Sequence, residues 1–208
     1  GPTREAIDPV RFISNRSSGK MGYAIAQSAR DLGASVTLIT GPTSLADIAE
    51  VSMVKIETAE NMAIEVQHFC GKADFIFMTA AVADFIPASP FSKKLKGQDK
   101  TNFIPIKPSV DILKSIKGKT KGVTIAFALE TSNGKEEAMK KLVDKGADFI
   151  VLNYANEPGA GFESETNRVT IFDASGQGKK LKKDRKDRIA KQLIDFILNR
   201  SAEKIPAD

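Results

Sequence analysis

Five short apolar runs, Ser35–Thr40, Met53–Ile56, Phe75–Met78, Val123–Ala128 and Phe149–Leu152, recur along the chain with helix-period segments between most of them. Continuous apolar runs of this length suit strands buried on both faces, the condition of a parallel sheet. The intervening segments, about Lys20–Leu32, Ala59–Cys70, Asp111–Ile116 and Lys135–Lys145, are each of a length to cross between parallel strands. The sequence therefore predicts an α/β fold: a doubly wound, Rossmann-like, mostly parallel sheet with helices on both faces. Arg168–Asp173 and Lys179–Leu181 flank Ala174-Ser175-Gly176-Gln177-Gly178 and read as a β-hairpin near the C-terminus. Ile189, Leu193, Phe196 and Ile197 then mark the apolar face of a last helix.

The chain's 208 residues, 41% of them hydrophobic, suffice for one sizeable core, so residues 1–208 are expected to form a single domain. No apolar run approaches membrane-spanning length and no signal peptide is recognisable, which predicts a cytoplasmic protein without a membrane partner. Cys70 is the only cysteine and His68 the only histidine, so neither an internal disulfide nor a zinc cluster can form. The net charge of +5 raises nucleic-acid binding as a possibility. Its basic residues gather at Lys93–Lys100 and Lys179–Lys191, and the second group, diluted by Asp184 and Asp187, reads as a solvated helix face. With two tyrosines and no tryptophan, no nucleic-acid partner is expected.

Chemistry concentrates in Ser14-Asn15-Arg16-Ser17-Ser18-Gly19-Lys20-Met21-Gly22, where hydroxyls, glycines and a lysine meet the start of a helix. Ser17 and Ser18 are placed at the helix N-terminus, whose free N–H groups suit a phosphate. Gly19 and Gly22 allow a phosphate or a neighbouring strand to approach the backbone, and Lys20 adds a mobile positive charge. A triphosphate fits this reading, and an ordinary N-cap beside a solvated lysine fits it too. Neither the Walker loop nor the Gly-x-Gly-x-x-Gly fingerprint is present.

Three further segments are candidates. Thr79-Ala80-Ala81-Val82-Ala83-Asp84 follows the run Phe75–Met78, where small residues at a strand's carboxyl end admit a base or ribose; Asp84 alone fits a cap equally well. Phe85–Thr101, carrying Lys93, Lys94, Lys96 and Lys100, has no clear periodicity and reads as a lysine-bearing lid or a surface loop. Lys141 and Lys145, four apart, place two ammonium groups on one helix face, useful around an anion and otherwise a plain solvated face.

The string Asp8-Pro9-Val10-Arg11-Phe12-Ile13-Ser14-Asn15 running into Ser17-Ser18-Gly19-Lys20-Met21-Gly22 resembles bacterial phosphopantothenate-cysteine ligase, the synthetase of coenzyme A biosynthesis. Ala80-Ala81-Val82-Ala83-Asp84, Lys94-Leu95-Lys96, Val110-Asp111-Ile112-Leu113, Ala126-Phe127-Ala128, Asn153-Tyr154 and Gly161-Phe162 extend the resemblance over nearly the whole chain. The resemblance implies a ligase that joins phosphopantothenate and L-cysteine with CTP. An acyl-cytidylate forms first, with release of pyrophosphate, and cysteine's amine then displaces CMP. Asn15 is then the residue of the second step, Arg11 steadies the intermediate, and Lys94 favours the first step. Ser17, Ser18, Gly19, Lys20 and Gly22 cradle phosphates, and Ala80, Ala81 and Asp84 border the nucleotide.

In the same way Val110, Asp111, Ile112 and Leu113 form the cytosine side, with Val110 where the family has proline. Phe127 is the nucleotide-contacting aromatic, or else a core residue at a strand end, and Lys141 and Lys145 complete the nucleotide set. Mg²⁺ accompanies the triphosphate, with metal ligands undefined. The resemblance further implies a homodimer, a fused flavin-dependent decarboxylase in a longer parent chain, and a first strand ahead of Gly1 that this chain lacks. Two other readings remain open from the residues. An NAD(P)-dependent oxidoreductase shares such a sheet, and a non-catalytic nucleotide- or RNA-binding module would show steep salt dependence without turnover.

Overall fold

A computed structural model describes residues 1–96, 103–130, 134–154 and 164–202. Residues 97–101 of the expected lid, Lys100 among them, and Gly161-Phe162-Glu163 lie outside the described residues. The chain opens with an antiparallel ribbon, β1 (Arg4–Ala6) and β2 (Phe12–Ser14), followed by α1 (Lys20–Asp31). Next come the parallel pair β3 (Thr37–Thr40) and β4 (Ser52–Lys55), helix α2 (Ala59–Phe69) and strand β5 (Phe75–Met78). A second ribbon, β6 (Phe85–Pro87) and β7 (Ile106–Pro108), precedes α3 (Ile112–Ile116), β8 (Val123–Glu130), α4 (Gly134–Lys145) and β9 (Phe149–Tyr154). The chain ends with β10 (Thr166–Asn167), β11 (Val169–Asp173), β12 (Gly178–Lys180), β13 (Asp184–Arg185) and α5 (Lys186–Ala202).

The main sheet has the order β12-β11-β9-β8-β5, parallel across β5, β8 and β9 and antiparallel at β11 and β12. Period-two alternation divides its side chains between two layers. Ala126, Ala128, Ile150 and Leu152 pack against Met62, Val66, Ile112, Ile116, Ala138 and Leu142 of α2, α3 and α4. Ile125, Phe149, Val151, Val169 and Ile171 pack on the other face against Ala24, Ile25, Ile189, Leu193 and Ile197 of α1 and α5. The fold is thus the doubly wound α/β arrangement that the apolar runs predict, with the C-terminal hairpin β11–β12 in place. Among the described residues no helix is long and apolar enough to cross a membrane.

The pair β3–β4 forms a separate sheet. Gly1–Thr3 threads between its carboxyl end and that of β5. Pro2 bridges to Ala81, the Ala81 N–H donates to the Gly1 carbonyl at 3.3 Å, and the Ala83 N–H donates to Thr3 Oγ1 at 3.2 Å. Opposite, a Cβ on Gly41 would lie 1.7 Å from the Pro2 carbonyl oxygen, so that position must be glycine for the strand ends to meet.

The two ribbons were not expected from the sequence. β6 takes the first residues of the segment read as a lid, pairing Phe85 with Pro108 and Pro87 with Ile106. The turn between β1 and β2 is organised by buried Asp8. One carboxylate oxygen accepts the N–H groups of Val10 at 2.8 Å and Arg11 at 2.9 Å. The other accepts Arg11 Nε at 2.9 Å, Arg11 Nη2, and the Leu95 N–H at 3.1 Å. Arg11 Nη2 also donates to the Leu95 carbonyl at 3.0 Å. Asp8 and Arg11 therefore grip both backbone polar groups of Leu95, between Lys94 and Lys96.

The Arg11 guanidinium, helped by the N–H groups of Val10, Leu95 and Arg11 and opposed by burial, holds the Asp8 carboxyl far below the usual carboxylate range. Below about pH 4 an unfolded aspartate protonates while the folded one stays charged, so this contribution to stability is present above that pH and fades as pH falls. Asp8→Asn should lower the urea midpoint at about pH 7, and the gap to wild type should narrow as the pH is taken below about 4. A gap that holds constant down to the acid limit would contradict this account.

Candidate functional site

The carboxyl ends of β5, β8 and β9 open into a cavity of about 500 Å³, at the place where an open parallel sheet receives ligands. Its wall is built by the Asn15–Gly22 segment, the Met78–Asp84 turn, the Ser109–Leu113 segment, the end of β8, α4 and the start of α5. Among the described residues no group of three or more His, Cys, Asp or Glu side chains gathers to hold a metal.

The phosphate-loop candidates line this cavity together, with one change of role. Gly19, rather than Ser17 or Ser18, is the N-cap of α1; its φ of 78° lies in the left-handed region, and it makes no side-chain cap hydrogen bond. A Cβ at Gly19 would sit 2.8 Å from Thr43 Cγ2, so glycine is required both by conformation and by space. A glycine cap brings no side chain of its own, and the positive end of the helix is directed at the cavity. Ser17 Oγ instead accepts the Gly19 N–H at 3.4 Å. Gly22 provides close packing: a Cβ there would lie 2.7 Å from Thr79 Oγ1. Lys20, read as mobile, pairs with the exposed carboxylate of Glu165, and this contact draws the Glu165 pKa down.

The nucleotide-side candidates also come together. Ala80, Ala81, Asp84, Val110, Asp111, Ile112, Leu113, Phe127, Lys141 and Lys145 all line the cavity. Asp84 is exposed and its carboxylate caps nothing among the described residues. Asp111 is the N-cap of α3, accepting the Lys114 N–H at 3.2 Å, and also pairs with Lys145 at 3.5 Å. Lys141 donates to Glu130 at 2.7 Å, so each lysine of the expected pair has its own carboxylate. Ile112 and Leu113 are buried core residues, and Phe127 packs partly on the second core layer while facing the cavity.

Asn15 stands at the wall with Nδ2 donating to the carbonyls of Ala81 at 3.0 Å and Val82 at 3.1 Å. Flipping the amide would set oxygen against oxygen, so the bonding fixes its orientation and leaves Oδ1 as an acceptor. Arg11 and Lys94 are not among the residues lining the cavity: Arg11 is engaged with Asp8 and Leu95, and Lys94 is exposed.

Several wall residues carry no sequence motif. Ser109 lines the wall beside Val110, and its Oγ is buried with no hydrogen-bond partner among the described residues. Thr79 and Asn153, which lie in segments singled out from the sequence, also line the wall, as does Asn167. Lys186, placed by composition in a solvated basic cluster, is buried at 7% exposure and lines the cavity. Its signal was present in the spacing: Lys186 stands three residues before Ile189 and in register with Ala190, Leu193 and Ile197 on the buried stripe of α5. Burial first, then Lys20, lowers the pKa of its ammonium group, with Glu165 acting in the opposite sense.

Residues 1–200 match the family described as DNA/pantothenate metabolism flavoprotein C-terminal domain. The coenzyme A biosynthesis bifunctional protein CoaBC of Bacillus subtilis is 45% identical over 185 residues, covering 87% of this chain and 45% of that protein. The chain thus spans about half the length of the curated relatives it matches. Among solved structures, the C-terminal domain of a CoaBC superposes with a TM-score of 0.82 at 40% identity, over 98% of this chain and 94% of that one. A Cab2 mutant in complex with phosphopantothenate-cysteine, 15% identical, shares the fold at a TM-score of 0.78 over 98% of this chain and 84% of that one. With the family matched almost from end to end and a relative's matching domain superposed on the same sheet, the chain belongs to the DNA/pantothenate metabolism flavoprotein C-terminal domain family.

Proposed function

We propose that this domain joins phosphopantothenate to L-cysteine with CTP, in the coenzyme A biosynthesis for which its relatives are named. The observation that carries the reading is the cavity wall itself. It offers a glycine-capped helix N-terminus, lysines and an oriented asparagine, but neither thiol nor imidazole. Such a wall suits a transfer through a mixed anhydride, which needs positioning and charge stabilisation rather than a protein nucleophile.

In the first half-reaction a substrate carboxylate oxygen attacks the α-phosphorus of CTP and the bond to the β-phosphate oxygen breaks, releasing pyrophosphate. In the second, cysteine's amine attacks the acyl carbon and the bond to the CMP oxygen breaks. The first turn of α1 and Lys20 receive the phosphates, while the Ser109–Leu113 segment and Ser109 Oγ stand on the base side. Mg²⁺ would arrive on the triphosphate. An ion that keeps most of its waters needs few protein ligands, and Asp84 offers a carboxylate at the wall. Asn15 Oδ1 accepts a proton-bearing nitrogen, so the geometry favours a role in orienting the cysteine amine over one in holding the acyl carbonyl. Lys94 comes to the phosphates from the segment held by Asp8 and Arg11, and Arg11 acts on the intermediate through that same junction.

A homodimer fits the exposed apolar side chains of the two ribbons and their connections, Val10, Phe12, Phe85, Phe103 and Ile106, with Phe103 81% exposed. The parent protein would carry a fused decarboxylase and work in the cytoplasm.

Mass spectrometry of the protein with phosphopantothenate, CTP and Mg²⁺, before and after cysteine is added, tests the reaction: an acyl-cytidylate should form and then pass into phosphopantothenoylcysteine. ATP in place of CTP should give less intermediate. Asn15→Ala should leave cytidylate formation intact and slow its consumption roughly a hundredfold; equal loss of both steps would remove the assigned role. For Lys94→Ala, pyrophosphate release should fall by about 10²–10³, and an unchanged rate would take Lys94 out of the mechanism. Phe103→Asp should shift the protein from dimer to monomer in sedimentation velocity, whereas an unshifted dimer would move the interface elsewhere.

A further inference from the structure

Asn167, the second residue of β10, is 4% exposed and lines the cavity. Its Oδ1 accepts the Arg168 N–H at 2.9 Å, which fixes which end of the amide is nitrogen. Among the described residues Nδ2 meets only the thioether of Met21, at 3.9 Å. A thioether is a weak acceptor and an amide nitrogen carries two hydrogens, so donor capacity is buried here without an oxygen to receive it. Such a donor lowers the stability of the ligand-free protein. The contact with Arg168 does not require it, since an aspartate has the same shape and keeps the acceptor. Met21 places the donor. It is the second residue of α1 and lines the same wall, so Nδ2 lies at the first turn of the helix, by its positive end. The pairing of β10 with β13 sets Asn167 opposite Asp184, whose carboxylate is engaged by the Arg185 N–H and by Arg188. A donor and a positive helix end at one place select an anionic acceptor.

We propose that Asn167 donates its side-chain amide to the phosphate tail of the nucleotide, an assignment that rests on the nucleotide reading of the cavity. A phosphate oxygen beside the first turn of α1 replaces the Met21 sulfur as acceptor, and a hydrogen bond to a charged oxygen is stronger than a neutral one. Lys20, Lys141 and Lys145 each pair with a carboxylate that an incoming anion must displace. The Asn167 donor has no oxygen partner to give up, so its contact with phosphate is gained without an exchange. Being neutral, the amide adds no long-range attraction for unrelated anions and rewards only an oxygen that reaches it. Asn167 is thus a binding residue and takes no part in making or breaking bonds.

The side-chain amide itself reports the contact. In nitrogen–proton correlation spectra of the wild type, the Asn167 amide pair, assigned through its bonds and absent from Asn167→Asp, should shift on addition of inorganic tripolyphosphate and of CTP. Titration calorimetry on wild type, Asn167→Leu and Asn167→Asp, with tripolyphosphate, CTP and phosphopantothenate as separate probes, then measures its weight. Asn167→Leu should weaken tripolyphosphate and CTP by roughly tenfold, the loss of one hydrogen bond to a charged group. Asn167→Asp, which keeps the acceptor for Arg168 and adds a negative charge, should weaken both further, by about a hundredfold or more. Phosphopantothenate should change by less than about twofold in either variant, a smaller effect than that of one hydrogen bond. An amide pair unmoved at saturating tripolyphosphate, an unchanged affinity in Asn167→Leu, or a loss confined to phosphopantothenate would each overturn the proposal. So would equal losses for every probe with a lowered melting temperature, the mark of a packing role. If tripolyphosphate shifts the pair and CTP does not bind, the nucleotide reading fails while the contact with phosphate stands; if neither binds, both fall.

Discussion

The parallel pairing of β5, β8 and β9 is the constraint on which the rest of the structure depends. Parallel strands all end on one side, and the crossover helices that join them must cover both faces. That arrangement buries Ile125, Ile150 and Val151 completely while leaving the strand ends Thr79–Ala81 and Leu129 without a layer above them. The antiparallel hairpin β11–β12 then reverses the chain so that α5 starts on the same side as α1. Two helix N-termini consequently meet the cavity from one face of the sheet. The site is a by-product of strand direction before any particular side chain contributes to it.

Much of this was legible in the residues. Strand Phe75–Met78 and the helices starting at Lys20 and Ala59 lie where apolar spacing places them, because burial on both faces leaves an unmistakable pattern. The ribbons β1–β2 and β6–β7 were not legible. Three-residue strands such as Phe85–Pro87 are too short for alternation to register, and a proline ends each strand of the second ribbon. Among site residues, motifs found Asn15, Gly19, Lys20, Asp84 and the Val110–Leu113 segment. They did not show that Gly19 would be the cap, because Ser17 and Ser18 are the commoner capping residues and only the left-handed backbone decides between them. Lys186 was passed over because a lysine in a basic run looks solvated, although its place on the α5 stripe argued otherwise.

The cations around the cavity are held in reserve by carboxylates. Lys141 pairs with Glu130, Lys145 with Asp111, and Lys20 with Glu165. Arg11 is committed to Asp8, a pair that also fixes the backbone beside Lys94. Such pairings orient long side chains before a ligand is present, reducing the entropy lost when it binds. They also keep a strongly basic wall from attracting arbitrary anions, since an incoming group has to compete with a carboxylate already in place.

The pair between Lys20 and Glu165 bears on departure as much as on arrival. Glu165 is 80% exposed at its side chain, so it would give up Lys20 to an incoming phosphate and return to water at little desolvation cost. In the proposed reaction the same carboxylate would close on Lys20 as pyrophosphate withdrew, so that no stage of the exchange would require a bare ammonium group beside Lys186. A tethered anion of this kind acts as an intramolecular competitor, present at high effective concentration and never lost by diffusion. In the proposed reaction, tight capture of a triphosphate and prompt release of its fragments, usually opposed demands on one site, would thereby be reconciled in a single residue.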